Sequence, residues 1–485
     1  MKKSISFLGF LMAIFCVLTL YAQPPDTLWT KVLSGYIGNS VFSTADGGFV
    51  VGGYKNVSGY RDFYICKTDD QGEMIWEYTY GNSDISETLA QMIETSDGGY
   101  LLCGNTSEEP PYSSYSDVYL VKTDEDGIQE WYSVDGVSGE SESPSSVAET
   151  SDGGFIITGS FWYDGYNGFD VVLIKVNELG AFEWKQYYNL EDGKSDRGLW
   201  VETAPDGGFL VTGETQAFTT NYDYDAFILK TNPAGTMESL TTIGEEWPMY
   251  EGAYRLLQCT DGSNLICGYQ NDDGIDNNWY VVKTGTNGWT HTIGGTYHDK
   301  AFNACETSDG GYAVTGNYYE NGNWNCFVVR YNSGGDTLWT KMWGDPDHSR
   351  YNYDIKQLED GGFITVGSIA ETGQNPNIYL ARLEPETVGI KEMRNRTSAA
   401  EIVLKSTYPN PFEQTTTIFY SVKIKSPVRV TLFDVTGRQV ATLKNVIERP
   451  GDHEVVLKNE LPAGIYFCTL QTENQVIVEK IIKRK

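Results

Sequence analysis

Ten residues ahead of the Asp in a recurring T-S-D-G-G-type motif, five of seven copies carry an acid: Glu87, Glu142, Asp196, Glu251 and Asp299. Tyr36 and Arg350 occupy the other two positions. Carboxylate oxygens are hard ligands suited to Ca²⁺. If the strands these acids begin line a central channel, the five form a partial acidic ring at its mouth, and Ca²⁺ is the cofactor such a ring would take. The competing reading is that each acid caps a turn or pairs with a basic residue of a neighbouring strand. A second set is aromatic. Trp162, Tyr163, Tyr222, Tyr224, Trp324 and Tyr351 lie in or beside the segments that vary most between motifs. Flat rings stack on sugars or apolar groups, and the Asn and Asp around them supply hydrogen bonds. Catalytic patterns are sparse. The four His (His291, His298, His348, His453) show no H-E-x-x-H spacing, and there is no G-x-S-x-G elbow and no P-loop. His298 beside Asp299, or His348 near Arg350, could serve hydrolase or lyase chemistry.

The elements that must position these groups are set by the motif itself. Its Asp recurs at Asp46, Asp97, Asp152, Asp206, Asp261, Asp309 and Asp360. A Gly follows each directly, and a second Gly stands seven residues on, from Gly53 to Gly367. Asp-Gly between apolar, β-branched runs predicts a hairpin with a two-residue loop, where positive φ suits Gly and is tolerated by Asp. A third strand follows in each copy. It carries Asp or Asn five residues before Lys or Arg, from Asp62 and Lys67 to Asn377 and Arg382. Recurrence in every copy marks this pair as a structural tie. A tight D-x-x-G turn and a fourth strand with Trp (Trp76, Trp131, Trp184, Trp339) complete the unit; Ser239 breaks that column and Trp289 is displaced.

Four short strands per repeat of about 50 residues, with no helical periodicity, predict an all-β fold: a seven-bladed β-propeller. The last repeat stops after its third strand, and DTLWTK at Asp26 to Lys31 duplicates the fourth-strand sequence at Asp336 to Lys341. The segment 26–33 is therefore expected to close the ring, with the propeller spanning 23–387. Loops between strands two and three share one face with the links between blades. That variable face is the expected binding surface.

Residues 1–22 read as a signal peptide, with Lys2 and Lys3 before an apolar run and Ala22 before the cut. No other stretch could span a bilayer as a helix, so the mature chain has no transmembrane segment. Net charge is −31, and the region between the signal and Glu401 carries −36. Such a surface repels phosphate backbones, which argues against nucleic acid and leaves cations and neutral polymers. A monomer is expected. Seven Cys follow the signal; Cys259 and Cys267 flank one turn and either pair or are small buried residues like the rest.

Residues 388–403 read as a linker, and 404–485 as a small β-sandwich. YPNPF at Tyr408 to Phe412, VTLFDVTGRQV, LPAGIYFCTL and the terminal KIIKRK resemble the type A C-terminal sorting domain of type IX secretion. The resemblance implies an Ig-like sandwich, type IX secretion machinery as partner, and an extracellular or outer-membrane surface location. The repeats resemble DGG-type propellers of secreted bacterial proteins. The expected function is a binding module for a glycan or protein ligand. The alternatives are a polysaccharide-active hydrolase or lyase with its site in the central funnel, and a structural adhesion component.

Overall fold

The computed structural model describes residues 24–386 and 402–484, apart from 83, 108–114, 137–139, 164–167, 192–193, 218–223, 244–249, 272–275, 295–297, 321, 345, 372–373, 435–438, 459–460 and 473–475. The signal segment, most of the linker and Tyr222 lie outside the described residues, as does the side chain of Tyr163. Residues 24–386 form one compact unit, and the C-terminal region forms another. Among the described residues no helix is long and apolar enough to cross a membrane.

The first unit is a seven-bladed β-propeller, seven antiparallel four-stranded sheets taken in chain order. Six blades are built from consecutive strands. The seventh is completed by Thr27–Leu33, which pairs with Asn377–Leu383 in a register running from Trp29↔Arg382 to Leu33↔Ile378. Cores lie between blades: Leu33, Val41, Val51, Tyr64, Val366 and Ile378 form the cluster where the seventh blade meets the first.

The motif turns differ from the two-residue loop expected. In the first blade Thr44 N donates to Gly48 O and Gly47 N to Thr44 O, and the same pair of bonds recurs in all seven copies. Positive φ falls on the first Gly only (Gly47, +85°) and never on the Asp. The loop is one residue longer, a turn ending in a left-handed glycine. The Asp is thereby freed to act as a cap. Asp46 accepts from Gly48 N and from the Thr44 hydroxyl. It also meets Lys67 at 2.7 Å, and every motif Asp meets the basic residue of its own third strand in the same way. The Lys67 hydrogen bond, then the Thr44 hydroxyl, holds the Asp46 carboxyl down at about 2. The basic column is thus a structural tie to the hairpin turn.

The Trp column locks neighbouring blades. A Cβ on Gly127 would strike Trp76, one on Gly180 would strike Trp131, and one on Gly235 would strike Trp184. Each such glycine ends the strand three to four turn of the next blade, so only the absence of a side chain lets the indole lie flat there. Trp289 is displaced only in sequence. It pairs with Lys283 as Trp76 pairs with Lys67, and it packs on Gly335, because a shorter turn absorbs the missing residues. All seven described cysteines are free, Cys259 and Cys267 among them.

The second unit is an Ig-like sandwich. One sheet holds Ile402–Tyr408, Thr415–Val422 and Gly451–Lys458, the other Gln439–Glu448, Ser426–Asp434, Gly464–Gln471 and Val476–Lys483. The YPNPF segment is tied to the last strand. Asn410 Nδ2 donates to Lys480 O at 2.6 Å, its Oδ1 accepts from Ile482 N at 2.9 Å, and Phe412 is buried in the core.

Candidate ligand-binding channel

The sheets pack face to face, so the innermost strand of each blade turns an edge to the axis, and its side chains alternate between the two neighbouring blades. One residue per blade escapes this rule. Each innermost strand has a bulge that adds an unpaired residue: Asn39, Ala90, Ser145, Leu199, Tyr254, Phe302 or Tyr353. A bulge re-aims side chains, and all seven of these residues line a central cavity of about 510 Å³. The tier is lopsided. Blades one to three supply small residues, and blades five to seven supply Tyr254, Phe302 and Tyr353.

Those three belong to a longer run of touching rings. Tyr319 and Trp324, from the hairpin of the sixth blade, lie 5.3 Å apart, and Trp324 is 5.9 Å from Tyr351. Tyr351 stacks on Tyr353 at 6.1 Å, Tyr353 meets Phe302 at 5.5 Å, and Phe302 stacks on Tyr254 at 5.1 Å. Tyr269 ends the run, 5.6 Å from Tyr254. This ladder leads from the variable face into the channel wall.

Polar groups fasten its inner end. Lys300 Nζ donates to Tyr254 Oη at 3.0 Å, and Tyr269 Oη donates to Glu214 Oε2 at 2.9 Å. Arg197 pairs with Glu214 at 2.7 Å and lies 5.6 Å from the Tyr224 ring. Burial raises the pKa of both Tyr254 and Tyr269, which keeps them neutral, and burial lowers that of Lys300. Toward the motif turns the cavity is lined by Trp200, Glu202, Arg255, Asp354 and Lys356. There the Arg255 guanidinium covers Trp200 at 3.9 Å and pairs with Glu202 at 2.7 Å.

Of the aromatic residues singled out from sequence, Trp324 and Tyr351 sit together on the ladder. Trp162, in the third blade, stacks instead on Tyr115 of the second at 5.9 Å. Tyr224 joins the Arg197 group. Sequence reasoning missed Tyr254, Phe302, Tyr353, Arg197 and Lys300. Their one visible signal is that they break columns filled by small or apolar residues in other blades.

The acids do not form an open ring at the channel mouth. Glu142, Asp196 and Glu251 are 0% exposed and Glu87 is 3% exposed, and none lines the cavity. They occupy the seams between blades, as an edge-on strand requires. Glu142 pairs with Lys185 at 2.8 Å, Asp196 accepts from Leu190 N, Glu251 from Gln270, and Asp299 from Tyr319 N. Among the described residues no group of three or more His, Cys, Asp or Glu could hold a metal ion. His298 is exposed and accepts from Asn277 N at 3.3 Å.

Glu87 lies against Asp62 of the preceding blade; a Cβ on Gly81 would touch both carboxyls, at 2.6 and 2.7 Å. Burial, with Asp62 adding to it, pushes Glu87 up to about 7 from 4.5. The folded chain therefore holds this proton between pH 4.5 and 7 while the unfolded chain releases it. Stability falls as pH rises through that window, by about 3 kcal/mol at most, and is flat above it. Glu87→Gln should melt higher than the parent at pH 8, with the gap closing by pH 5. A gap unchanged between those two pH values would show that Glu87 is ionised throughout.

Comparison with known proteins places the C-terminal unit. Residues 406–484 match the family model described as secretion system C-terminal sorting domain. That match indicates export by type IX secretion to the cell surface or the extracellular space. No curated protein matches the chain. Solved structures of similar shape include a fungal alcohol oxidase of the AA5 family in complex with copper, with 13% identity, TM-score 0.49 and coverage of 95% of this chain and 100% of that one. Another is the polysaccharide lyase Uly1, at 12% identity and TM-score 0.46, covering 72% of this chain and 90% of that one. A Dyadobacter fermentans protein of unknown function shows 11% identity and TM-score 0.45, with 74% and 99% covered. These are likenesses of shape alone.

Proposed function

We propose that this protein is a secreted or surface-attached binding module whose ligand is a glycan taken up on the aromatic ladder. The observation that supports this best is the break in seven-fold symmetry: the run of touching rings from Tyr319 to Tyr269 takes in the bulge residues of blades five to seven, where blades one to three carry Asn39, Ala90 and Ser145. Groups that merely hold a blade recur in every blade, as the Asp–Lys ties do. Rings with hydroxyl groups offer both faces for sugar stacking and hydrogen bonds for sugar hydroxyls. Trp324 and Tyr351, both half-buried, stand at the outer end, where a ligand would first meet them.

The test is a glycan-array screen of the full chain, followed by titration of hits. Trp324→Ala and Tyr351→Ala should each weaken binding about tenfold, the worth of roughly 1.4 kcal/mol of stacking, while leaving the melting temperature nearly unchanged. A blank array, or binding indifferent to both substitutions, would turn attention to a protein ligand or to adhesion. The Lys300–Tyr254 contact favours one alternative, a hydrolase or lyase. Shortening of a bound glycan with time would replace binding by catalysis.

A further inference from the structure

We propose that the glycan is an anionic one, its carboxylate or sulfate group held by Lys300. This deepens the glycan-binding reading and rests on it. Lys300 opens the innermost strand Lys300–Glu306 of the sixth blade and is half-buried. Its ammonium sits 3.0 Å from the Tyr254 hydroxyl and 5.5 and 5.1 Å from the centres of the Tyr254 and Tyr269 rings. Among the described residues it has no carboxylate partner. The contrast with the other shielded lysines is sharp. Lys122 and Lys175 each hold two carboxylates, Lys185 holds Asp135 and Glu142, and Lys283 holds Asp261.

A shielded cation without a counter-charge is unfavourable, and ring faces offset only part of that. Glu214, the nearby acid, is already bonded to Arg197 and Tyr269. Around the inner end of the ladder, among the described residues, the cations Arg197 and Lys300 therefore outnumber the one carboxylate in contact with them, Glu214. A ligand anion would complete the set while its ring lies on the aromatic steps. The chain's overall charge of −31 does not oppose this at close range, because charges beyond about 8 Å are screened at physiological salt. The ammonium has two donors left after Tyr254, enough for one carboxylate or sulfate.

The experiment titrates the full chain with two matched pairs: trigalacturonate against its methyl ester, and a sulfated galactan oligomer against its desulfated form. The charged member of one pair should bind at least tenfold more tightly than its neutral partner, and that pair names the anion. Lys300→Met should erase the preference and Lys300→Arg should keep it. Equal affinity within both pairs would overturn the inference while leaving glycan binding intact. Absence of binding to all four, with a blank array, would overturn both. A preference that survives Lys300→Met would overturn the role of Lys300. Should that variant fail to fold, titration of the unaltered chain decides on the two pairs alone.

Discussion

Removing residues 24–34 should abolish cooperative folding of the propeller, leaving a chain that aggregates on a sizing column. The segment is the only outer strand of the seventh blade. It pairs residue by residue from Trp29 to Leu33 with a strand whose Ile378 and Leu380 are fully buried. Its flanks are held as well: Glu384 N donates to Asp26 O at 2.9 Å and Lys341 to Pro25 O at 2.7 Å. Trp29 packs on the Gly72 turn of the first blade and donates to Asp70 O, so the strand joins the first blade to the last. Some six lost hydrogen bonds at about 1 kcal/mol each come to about 6 kcal/mol. Domains are commonly stable by about 5–15 kcal/mol, so most of the margin is gone. The deletion also exposes an unpaired edge, which recruits other chains. Circular dichroism melts and size exclusion check the result, and a synthetic peptide of residues 24–35 should restore a single melting transition. A deletion that melts like the parent would show that the ring closes without this strand.

That closure was legible because identical hexapeptides stand at Asp26 and Asp336. The blades were legible for the same reason, since recurrence of Asp, Gly and Trp at fixed intervals needs no knowledge of packing. The channel was not. Alternation along a strand tells which residues share a face, and Glu87, Glu142, Asp196 and Glu251 do share one. It does not tell that the face looks at a neighbouring blade. In stacked sheets the axis sees strand edges, and the bulge brings one further side chain per blade to it. The bulged residues Asn39, Ala90, Ser145, Leu199, Tyr254, Phe302 and Tyr353 share no residue type, so no recurring column announces them as the Asp, Gly and Trp columns announce the blades. The ladder likewise joins residues as far apart as Tyr254 and Tyr353, neighbours only because the blades sit side by side around the ring. Trp324 and Tyr351 could be picked out as loop aromatics; that they converge with Phe302 required the bulges.

The repeat nonetheless records the bulge indirectly, through its second glycine. Gly53, Gly104, Gly159, Gly213, Gly268, Gly316 and Gly367 each pair with the residue just before the bulge. A Cβ on any of them would run into a backbone carbonyl oxygen of the innermost strand, which has no rotamer with which to yield. For Gly213 that oxygen belongs to Arg197, for Gly316 to Lys300, and for Gly367 to Tyr351. The glycines thus set how closely the strands approach where the site residues sit. Gly213→Ala should cost about 3 kcal/mol, the upper range of overpacking against rigid atoms. It should also weaken ligand binding, because Arg197 must move away from Glu214. The control is Gly59→Ala. Gly59 has φ of +101° but nothing within 4 Å of the added carbon; that change should cost only about 1 kcal/mol, the strain of a left-handed residue. Urea unfolding of the two variants measures the difference. Equal midpoints would mean that the second glycine serves chain flexibility alone. Unequal midpoints, with Gly213→Ala also impaired in binding, would mean that one small residue repeated seven times holds the fold together and aims the channel.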